Sequence, residues 1–366
     1  MKPQHRHPEQ SLPRAAWLLR PFLHRRRWHP LDHITLSNDS KPTFPPFNLG
    51  AYSGECVINQ VFDGDITVDN ISGQCNVTLE SRYGSITITH KIEQWAQVNL
   101  KAACMVTIGE SIDQHSIVEI TAGGDIMIGQ TINRNSQATI TSVAGKIDIG
   151  LKVDSYSKAK LTAGTAVHIG QDIGQHSTVI ITAQGDVKIG RDINQHATAD
   201  IISLNGAIGI GQMIKDSVIA SLTAGKTVHI GEKLDQYCQV TIRAQSDVSI
   251  GHKIDHRSAA EITSVEGSIN IGQGLSGIAT ATLIALNGFI NISGSVDRDS
   301  TVNWNAQYFN CLHNDGTVNH ICSVHTLPLE GPQLAYFHRS RDYVRRIIER
   351  FLVPLTNRRA GADIRR

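Results

Sequence analysis

Aromatic and imidazole side chains recur in this sequence at intervals of about 20 residues, which places them at the same corner of successive repeating units. The ten residues of this column, called the polar corner below, are Trp95, His115, Asn135, Tyr156, His176, His196, Ser217, Tyr237, Arg257 and Ile278. Stacked rings beside polar groups could bind a sugar chain, a peptide or a protein surface. The candidate binding residues are Trp95, His115, Tyr156, His176, His196, Tyr237 and Arg257.

A second column of mostly Asp, Asn and other polar residues precedes the polar corner by two positions. Its members are Glu93, Asp113, Asn133, Asp154, Gly174, Asn194, Lys215, Asp235, Asp255 and Ser276. Asp, Asn and Gly are also the residues that tight turns require. The alternative interpretation is therefore that this column satisfies a turn and that the His and Tyr side chains shield it from solvent.

A cluster of cysteine and histidine near the C-terminus has the donor types that zinc accepts. Cys311 and His313 precede Asp315-Gly316, and His320 and Cys322 follow it. Asp-Gly is a hairpin signal, and an antiparallel hairpin would bring the four side chains to one face. The sequence thus predicts a candidate zinc site, although its spacing is not that of a zinc finger or ribbon. The same residues could instead be ordinary stack positions, and no other cofactor is expected.

The two ends of the chain are basic, whereas the middle is acidic. Residues 1–33 hold seven Lys or Arg against two acids, and residues 338–366 hold nine Arg against three acids. These net charges of +5 and +6 leave −10 for the middle of a chain whose total is +1. The arginines at issue are Arg25, Arg26, Arg27, Arg345, Arg346, Arg358 and Arg359. They could contact nucleic acid or an anionic membrane, act as targeting signals, or keep the ends soluble.

The elements that position these residues follow from an internal repeat. Ile-Gly, the anchor dipeptide, recurs from Ile108-Gly109 to Ile271-Gly272 at intervals of about 20 residues, and degenerate copies extend the series to twelve anchors. Around each anchor, apolar and polar residues alternate over short segments, which predicts strands with one buried face. Such strands are too short to be stable alone, so each must pair with its equivalent one coil away.

The repeat predicts an all-β, single-stranded β-solenoid of about 12 coils, roughly 55–60 Å long at the usual strand spacing. The coil is longer than that of hexapeptide-type left-handed helices, which favours a right-handed solenoid. A longer period of about 61 residues is superposed on the coil, since Thr141 to Gly145, Ile202 to Gly206 and Thr263 to Gly267 have related sequences. Three-coil blocks at about residues 101–161, 162–222 and 223–283 therefore look like duplications.

Three regions are expected along the chain. Residues 1–47 form a basic, Pro- and His-rich arm without regular structure, and residues 48–327 form the solenoid. Residues 328–366 hold an amphipathic helix over about 340–355 and an Arg-rich tail, because apolar residues recur there at helical spacing. Such a helix could cover the open end of the stack.

The segments Ala122 to Ile128 (AGGDIMI) and Ala183 to Ile189 (AQGDVKI) resemble repeats of bacterial filamentous-haemagglutinin-type and adhesin-type β-solenoids. The resemblance covers about residues 62–300. It implies an adhesin-like or exported interaction protein of bacterial origin. Self-association of the chain is a separate possibility that the sequence leaves open. Adhesins of this kind carry Sec signals and longer arrays, and this sequence shows neither.

The expected function is structural or interactive, with a protein or a glycan as partner. The alternative is a polysaccharide-active β-helix enzyme, but such an enzyme needs long loops around a carboxylate cluster. The coils here differ by single residues, and Asp148, Asp186 and Asp247 fall at outward positions typical of a solvated face. We therefore expect no enzymatic activity.

The compartment is left open by the sequence. No apolar run approaches the length of a membrane helix, and the N-terminal segment is too charged for a Sec signal. We expect a cytoplasmic protein or one exported by a route without a Sec signal. Six scattered cysteines form no dense disulfide framework, which favours a reducing compartment.

Overall fold

The computed structural model describes residues 44–320, and these form a parallel β-solenoid of about 14 turns. Each strand pairs in parallel with the equivalent strand one coil away, so the predicted fold class is confirmed. Two coils more than predicted are present, since the stack begins at Phe47–Asn48 and ends at Thr317–His320. The end coils lack the Ile-Gly anchor, so the spacing of that dipeptide did not predict them.

Each regular coil has a long strand, a short strand and a third segment. The six-residue long strands are Val57–Phe62, Asn76–Ser81, Gln97–Ala102, Ile117–Ala122, Gln137–Ser142, Lys158–Ala163, Thr178–Ala183, Thr198–Ser203, Ile219–Ala224, Gln239–Ala244 and Ala259–Ser264. The three-residue short strands are Ile66–Val68, Ile86–Ile88, Val106–Ile108, Ile126–Ile128, Ile147–Ile149, Val167–Ile169, Val187–Ile189, Ile208–Ile210, Val228–Ile230, Val248–Ile250 and Ile269–Ile271.

The third segment of the coil is held by parallel bridges between single residues such as Ile173 and Ile193, or by two-residue strands. The two-residue strands are Phe47–Asn48, which belongs to the short-strand series, and Thr131–Ile132, Lys152–Val153, Lys253–Ile254 and Gly274–Leu275. At the C-terminal end the segments merge into the longer strands Thr280–Val296 and Thr301–Asn314, followed by Thr317–His320.

The interior is a set of in-register aliphatic stacks. In the short strands the outer two residues are buried and the middle one points outward, so Ile128, Ile149 and Ile169 lie above one another with no solvent exposure beyond 1%. Burying one such side chain contributes about 1.5–3 kcal/mol. A slip of one residue would expose the stack, which explains why the phase of the repeat is kept.

Aromatic side chains fill the two ends of the interior. Phe47 and Phe62 have ring centroids 4.4 Å apart in the first coils, and Trp304 and Phe309 stack at 4.6 Å in the last. All four residues are partly buried, and Phe62, Trp304 and Phe309 pack against the aliphatic core. The larger rings therefore cover apolar surface at both ends of the described stack, where no further aliphatic layer follows.

The glycine of the Ile-Gly anchor is required by close approach between coils. A Cβ added at Gly170 would lie 2.0 Å from the carbonyl oxygen of Gly150, and one added at Gly190 would lie 1.9 Å from that of Gly170. Real Cβ atoms do not approach backbone this closely, so any side chain there would force two coils apart. The dipeptide that reveals the repeat is thus fixed by stacking geometry.

A widened turn follows the long strand in every third coil and accounts for the longer, three-coil period. Buried Ser203 donates a hydrogen bond to the carbonyl of Gly185 (2.8 Å) and accepts one from the Gly206 amide (3.1 Å). Asp186, one coil earlier, accepts a hydrogen bond from the Ala207 amide (2.8 Å). Equivalent serines are Ser81, Ser142 and Ser264, so the structure adds a fourth copy to the three seen in the sequence.

One disulfide joins Cys56 and Cys75, whose Cα atoms are 4.5 Å apart. The two residues occupy one column at neighbouring levels, where later coils place small residues such as Ser116 and Cys238. Scattered cysteines suggested no pairing, but the sequence separation of the two is one coil, which brings the side chains together. Cys104, Cys238 and Cys311 are free.

The hairpin predicted about Asp315-Gly316 is wrong. Thr317–His320 pairs in parallel with the start of Thr301–Asn314, with Thr317 opposite Thr301. The Asp315 and Gly316 amides both donate to the carbonyl of Val296, so this turn is the corner of a shortened coil. The open edge of the previous coil offers more backbone hydrogen bonds than a local hairpin does.

Several predicted features lie outside the described residues. These are the basic N-terminal arm, the helix over about 340–355 with its Arg-rich tail, and the boundary at 327–328. Handedness stays a prediction. Within residues 44–320, no helix has the length and hydropathy needed to cross a membrane.

Candidate functional site

The polar corner is built on a tight turn that repeats in ten successive coils, the last of which has Gly277 before Ile278. In the second of these, Gln114 and His115 have φ of 52° and 63°, and the Ser116 amide donates to the carbonyl of Asp113 (3.3 Å). Two consecutive positive φ values define a type I′ turn, which normally uses Gly, Asn or Asp. Here both positions carry larger side chains in most coils, from Gln94-Trp95 through His256-Arg257.

Backbone hydrogen bonds between coils hold this unusual conformation. The amide of each corner residue donates to the carbonyl of the preceding turn residue in the next coil, as from His176 to Gln195 (2.8 Å) and from His196 to Asp216 (2.8 Å). The left-handed conformation is what turns these amides toward the neighbouring coil. It therefore extends the parallel ladder around the corner, at a cost of about 1–2 kcal/mol for each non-glycine residue.

Buried carboxylates from the second column support the turn from below. The Asp235 side chain accepts a hydrogen bond from the Gln236 amide (2.9 Å), and Lys233 forms an ion pair with it at 2.5 Å. Lys253 and Asp255 repeat the arrangement one coil later. Burial acts to raise the pKa of Asp235, but hydrogen bonds from Lys233 and His256 outweigh burial and hold that pKa below its ordinary value.

Above these turns the corner side chains stack into a ladder of rings. Trp95 lies on His115 with centroids 4.2 Å apart and planes 5° from parallel. Tyr156, His176 and His196 form a continuous stack, each pair 4.8 Å apart. The Arg257 guanidinium lies 5.9 Å from the centre of the Tyr237 ring. The structure thus brings all seven candidate binding residues into one exposed column.

Two small residues interrupt the ladder. Asn135 fills its level with a planar amide, and its neighbour Arg134 is tied to Asp113 at 3.2 Å. Ser217 carries no ring, so its level is left without one between His196 and Tyr237. An open depression of about 600 Å³ includes this level and runs along the corner as far as Ile278; its lining is His196, Asp216, Ser217, Gln236, Tyr237, His256, Arg257, Gly277 and Ile278.

The turn position that precedes the polar corner contributes to this depression through Asp216, Gln236 and His256. Sequence reasoning missed these residues because it considered only the columns on either side of this position. A usable signal was present, since this position is Gln in five coils between Gln94 and Gln236. A polar side chain there stands beside the exposed rings.

A cluster of Asp235, Asp255 and His256 has ligand atoms within 4.8 Å of one another. His256 Nδ1 lies 2.7 Å from Asp235 and 3.2 Å from Asp255. The ammonium groups of Lys233 and Lys253 already neutralise both carboxylates. The cluster is therefore a network of ion pairs beneath the corner.

The predicted zinc ligands are spread over different faces. Cys311 pairs with Ile292 and His313 with Ser295, whereas His320 lies opposite Trp304 on the long-strand side. The His313 ring lies 3.1 Å from Asp315. Cys322 lies outside the described residues, so the complete ligand set stays a prediction.

The outward carboxylates are structural in part. Asp186 and Asp247 accept backbone hydrogen bonds at widened turns, where a merely solvated face was expected. Asp148 contacts Lys146 (3.2 Å) and His168 (3.3 Å) on the short-strand face. Along residues 44–320 the strands are joined by short turns, and none of these walls a cleft around such a carboxylate.

The arginines of the basic arms, from Arg25 to Arg27 and from Arg345 to Arg359, lie outside the described residues. Comparison of the chain with protein-family models, with curated proteins and with solved structures finds no match. The structure therefore shows a β-solenoid with a repeated polar corner.

Proposed function

We propose that this protein is a non-enzymatic binding scaffold whose polar corner docks an extended partner, a protein or a glycan. One observation carries the proposal. Nine coils hold pairs of non-glycine residues in the left-handed conformation, and a turn made only to connect strands would use glycine or asparagine. Costly backbone conformations persist where function requires the side chains they display.

The side chains on display suit binding. Trp95, Tyr156 and Tyr237 are each 57–59% exposed, although their rings are held in fixed positions by stacking or by Arg257. Ordered, amphipathic rings lose little conformational entropy when a partner covers them. The regular rise between coils also presents equivalent groups at equal intervals, which suits a partner that is itself extended or repetitive.

The likeness of the repeats to bacterial adhesin-type solenoids agrees with this proposal and suggests an adhesin-like or exported factor. An open surface without enclosing loops favours binding over polysaccharide cleavage, which is the enzymatic alternative. Self-association through the same corner is a further form of the proposal, because the exposed rings could meet those of a second copy.

The experiment removes the rings while keeping the turn. Asparagine occupies the left-handed position at residue 135 with φ of 61°, so the triple variant Trp95→Asn, Tyr156→Asn, Tyr237→Asn should fold. Tyr83→Ala with Tyr308→Ala is the matched control, since both tyrosines are more than half exposed and lie off the corner.

Partners captured from extracts would be identified and then measured individually by calorimetry, with and without enzymatic removal of glycans. We expect the triple variant to bind the identified partner at least tenfold more weakly and the control to bind as the wild type does. Equal binding by the triple variant and the wild type would refute the corner as the docking surface.

A second candidate function uses the basic ends. The net charges of +5 and +6 on residues 1–33 and 338–366 favour nucleic acid or anionic lipid. Changing Arg25, Arg26 and Arg27 to Gln should weaken binding to a DNA duplex or to anionic vesicles and flatten its salt dependence. An affinity that changes neither with salt concentration nor with these substitutions would exclude this function.

A further inference from the structure

The open level at Ser217 is a gap of one ring in an otherwise stacked column. The His196 ring has one face against His176 at 4.8 Å, and its other face is turned toward Ser217. The Tyr237 ring has Arg257 on one side and Ser217 on the other. At the usual spacing of parallel strands the two rings stand about 9.6 Å apart, so one ring of a ligand fits between them.

The edge of this gap is polar. Asp216 and Gln236 line it beside the Ser217 hydroxyl. Within residues 44–320 these three side chains have no hydrogen-bond or ion-pair partner. Together they offer a carboxylate that accepts hydrogen bonds, an amide that accepts and donates, and a hydroxyl that does both.

A site with two apolar walls and a polar edge matches a ring with apolar faces and a polar rim. A pyranose has this character, because its C–H groups point to the two faces and its hydroxyl groups project around the edge. A Phe, Tyr or Trp side chain would use the walls but has at most one polar atom for the edge, and His has two, whereas a pyranose has several hydroxyl groups. Charge restricts the choice further, since the body of the chain between the basic ends carries a net charge of −10 and Asp216 stands at the gap.

We infer that the gap at Ser217 binds one neutral pyranose of a glycan, held between His196 and Tyr237 and hydrogen-bonded by Asp216 and Gln236. The inference rests on the proposed binding role of the polar corner and assigns its ligand class. The remaining rings of the corner would contact neighbouring sugars of the same glycan. The sugar bound at the Ser217 level would determine which sugar lies beside each of these rings.

The decisive variant fills the gap. Histidine already occupies the equivalent turn position at residues 115, 176 and 196, with φ of 60–63°, and Ser217 has φ of 59°. Ser217→His should therefore fold and complete the stack. Gly209→His is the matched control, because it adds the same ring on the short-strand face, where a Cβ at Gly209 meets no atom within 4 Å and the next coil already carries His229.

The full-length protein is tested on an array of neutral tetrasaccharides of glucose, galactose, mannose and N-acetylglucosamine, with tetragalacturonate as the acidic probe. The tightest binder is then titrated by calorimetry, with thermal melts to verify folding. We expect Ser217→His to weaken binding at least tenfold, Tyr237→Asn to weaken it similarly, and Gly209→His to leave it within twofold of the wild type.

The outcomes separate this inference from the proposed function. If no tetrasaccharide binds, or only the acidic one does, the assignment to a neutral pyranose is overturned, even where the triple corner variant loses a protein partner. If a neutral tetrasaccharide binds equally to Ser217→His but fails with Trp95→Asn, glycans use the corner without the gap, which also overturns the inference. If Ser217→His does not fold, Tyr237→Asn and Asp216→Ala decide: unchanged binding by both overturns the inference.

Discussion

At the scale of the residue, the polar corner sets two effects against each other. Each non-glycine residue in the left-handed conformation costs about 1–2 kcal/mol, whereas each aromatic pair on a corner contributes about 0.5–1.5 kcal/mol. His176 stacks on rings on both sides, whereas Ser217 has no ring to stack. The balance therefore differs from one coil to the next, although the backbone is the same.

This balance predicts opposite effects for one substitution at two sites. Ser217→Gly relieves the backbone without losing a contact, and after the added entropy of the unfolded chain it should raise the free energy of unfolding by about 0.5–1 kcal/mol. His176→Gly relieves the same backbone but loses two stacked neighbours, so it should lower that free energy by about 1 kcal/mol. Urea unfolding of both variants measures the difference, and a gain at both sites would show that the stacking contributes nothing.

At the scale of the element, the widened turn of every third coil shows how one buried hydroxyl selects a turn type. The last residue of the long strand is Ser203 where the turn is widened and Ala183 or Ala224 where it is not. The serine satisfies a carbonyl and an amide that the longer turn would otherwise leave unpaired inside the protein. An alanine suffices elsewhere because the shorter turn exposes no such groups to the interior.

Exchanging the two residue types should therefore destabilise the protein in either direction. Ser203→Ala leaves a buried amide and a buried carbonyl without a hydrogen-bond partner. Ala183→Ser buries a hydroxyl that has no hydrogen-bond partner there. Each substitution should lower the free energy of unfolding by about 1–3 kcal/mol. Glu119→Ala, on an exposed position of a long strand, is the control and should change stability by less than about 0.5 kcal/mol. Chemical denaturation distinguishes these cases, and a neutral Ala183→Ser would contradict the proposed specificity.

The elements themselves could be predicted because their information is periodic. Alternation around Ile189 places the short strand, and the phase of the repeat dictates which residues stack. The corner conformation could not be predicted, since local rules assign positive φ to glycine and asparagine and do not include the hydrogen bonds between coils that stabilise it at Gln195-His196. The hairpin predicted at Asp315-Gly316 was wrong for the complementary reason. The local sequence favoured a hairpin, but the following strand pairs with the open strand edge of the previous coil.

At the scale of the whole molecule, the strands described over residues 44–320 pair only from one coil to the next. Stability is then close to a sum over coils and their interfaces. The gap at Ser217 and the ladder from Trp95 lie inside the stack, with further coils on either side. Loss of an end coil should therefore leave the polar corner folded.

The three-coil period predicts which internal deletions are tolerated. Removing residues 162–222 joins Leu161 to Thr223, which reproduces the natural junction between Leu222 and Thr223 in the equivalent strand. This variant should fold, with a denaturant m-value lower by about a fifth because roughly three of fourteen coils are gone. Removing residues 162–211 instead breaks the phase within a coil and should prevent cooperative folding. Circular dichroism with urea titration tests both, and equal behaviour of the two deletions would refute the modular description.

The disulfide between Cys56 and Cys75 has a mechanical consequence. Because its two sulfurs belong to successive levels, the chain between them is a closed covalent ring of one coil. When the protein is stretched from its two ends, that ring adds almost nothing to the extended length, which shortens the fully pulled chain by roughly 60 Å compared with the reduced protein. Under force the N-terminal coil can therefore separate from its neighbouring coils, but the chain between the two cysteines cannot be extended while the disulfide is intact.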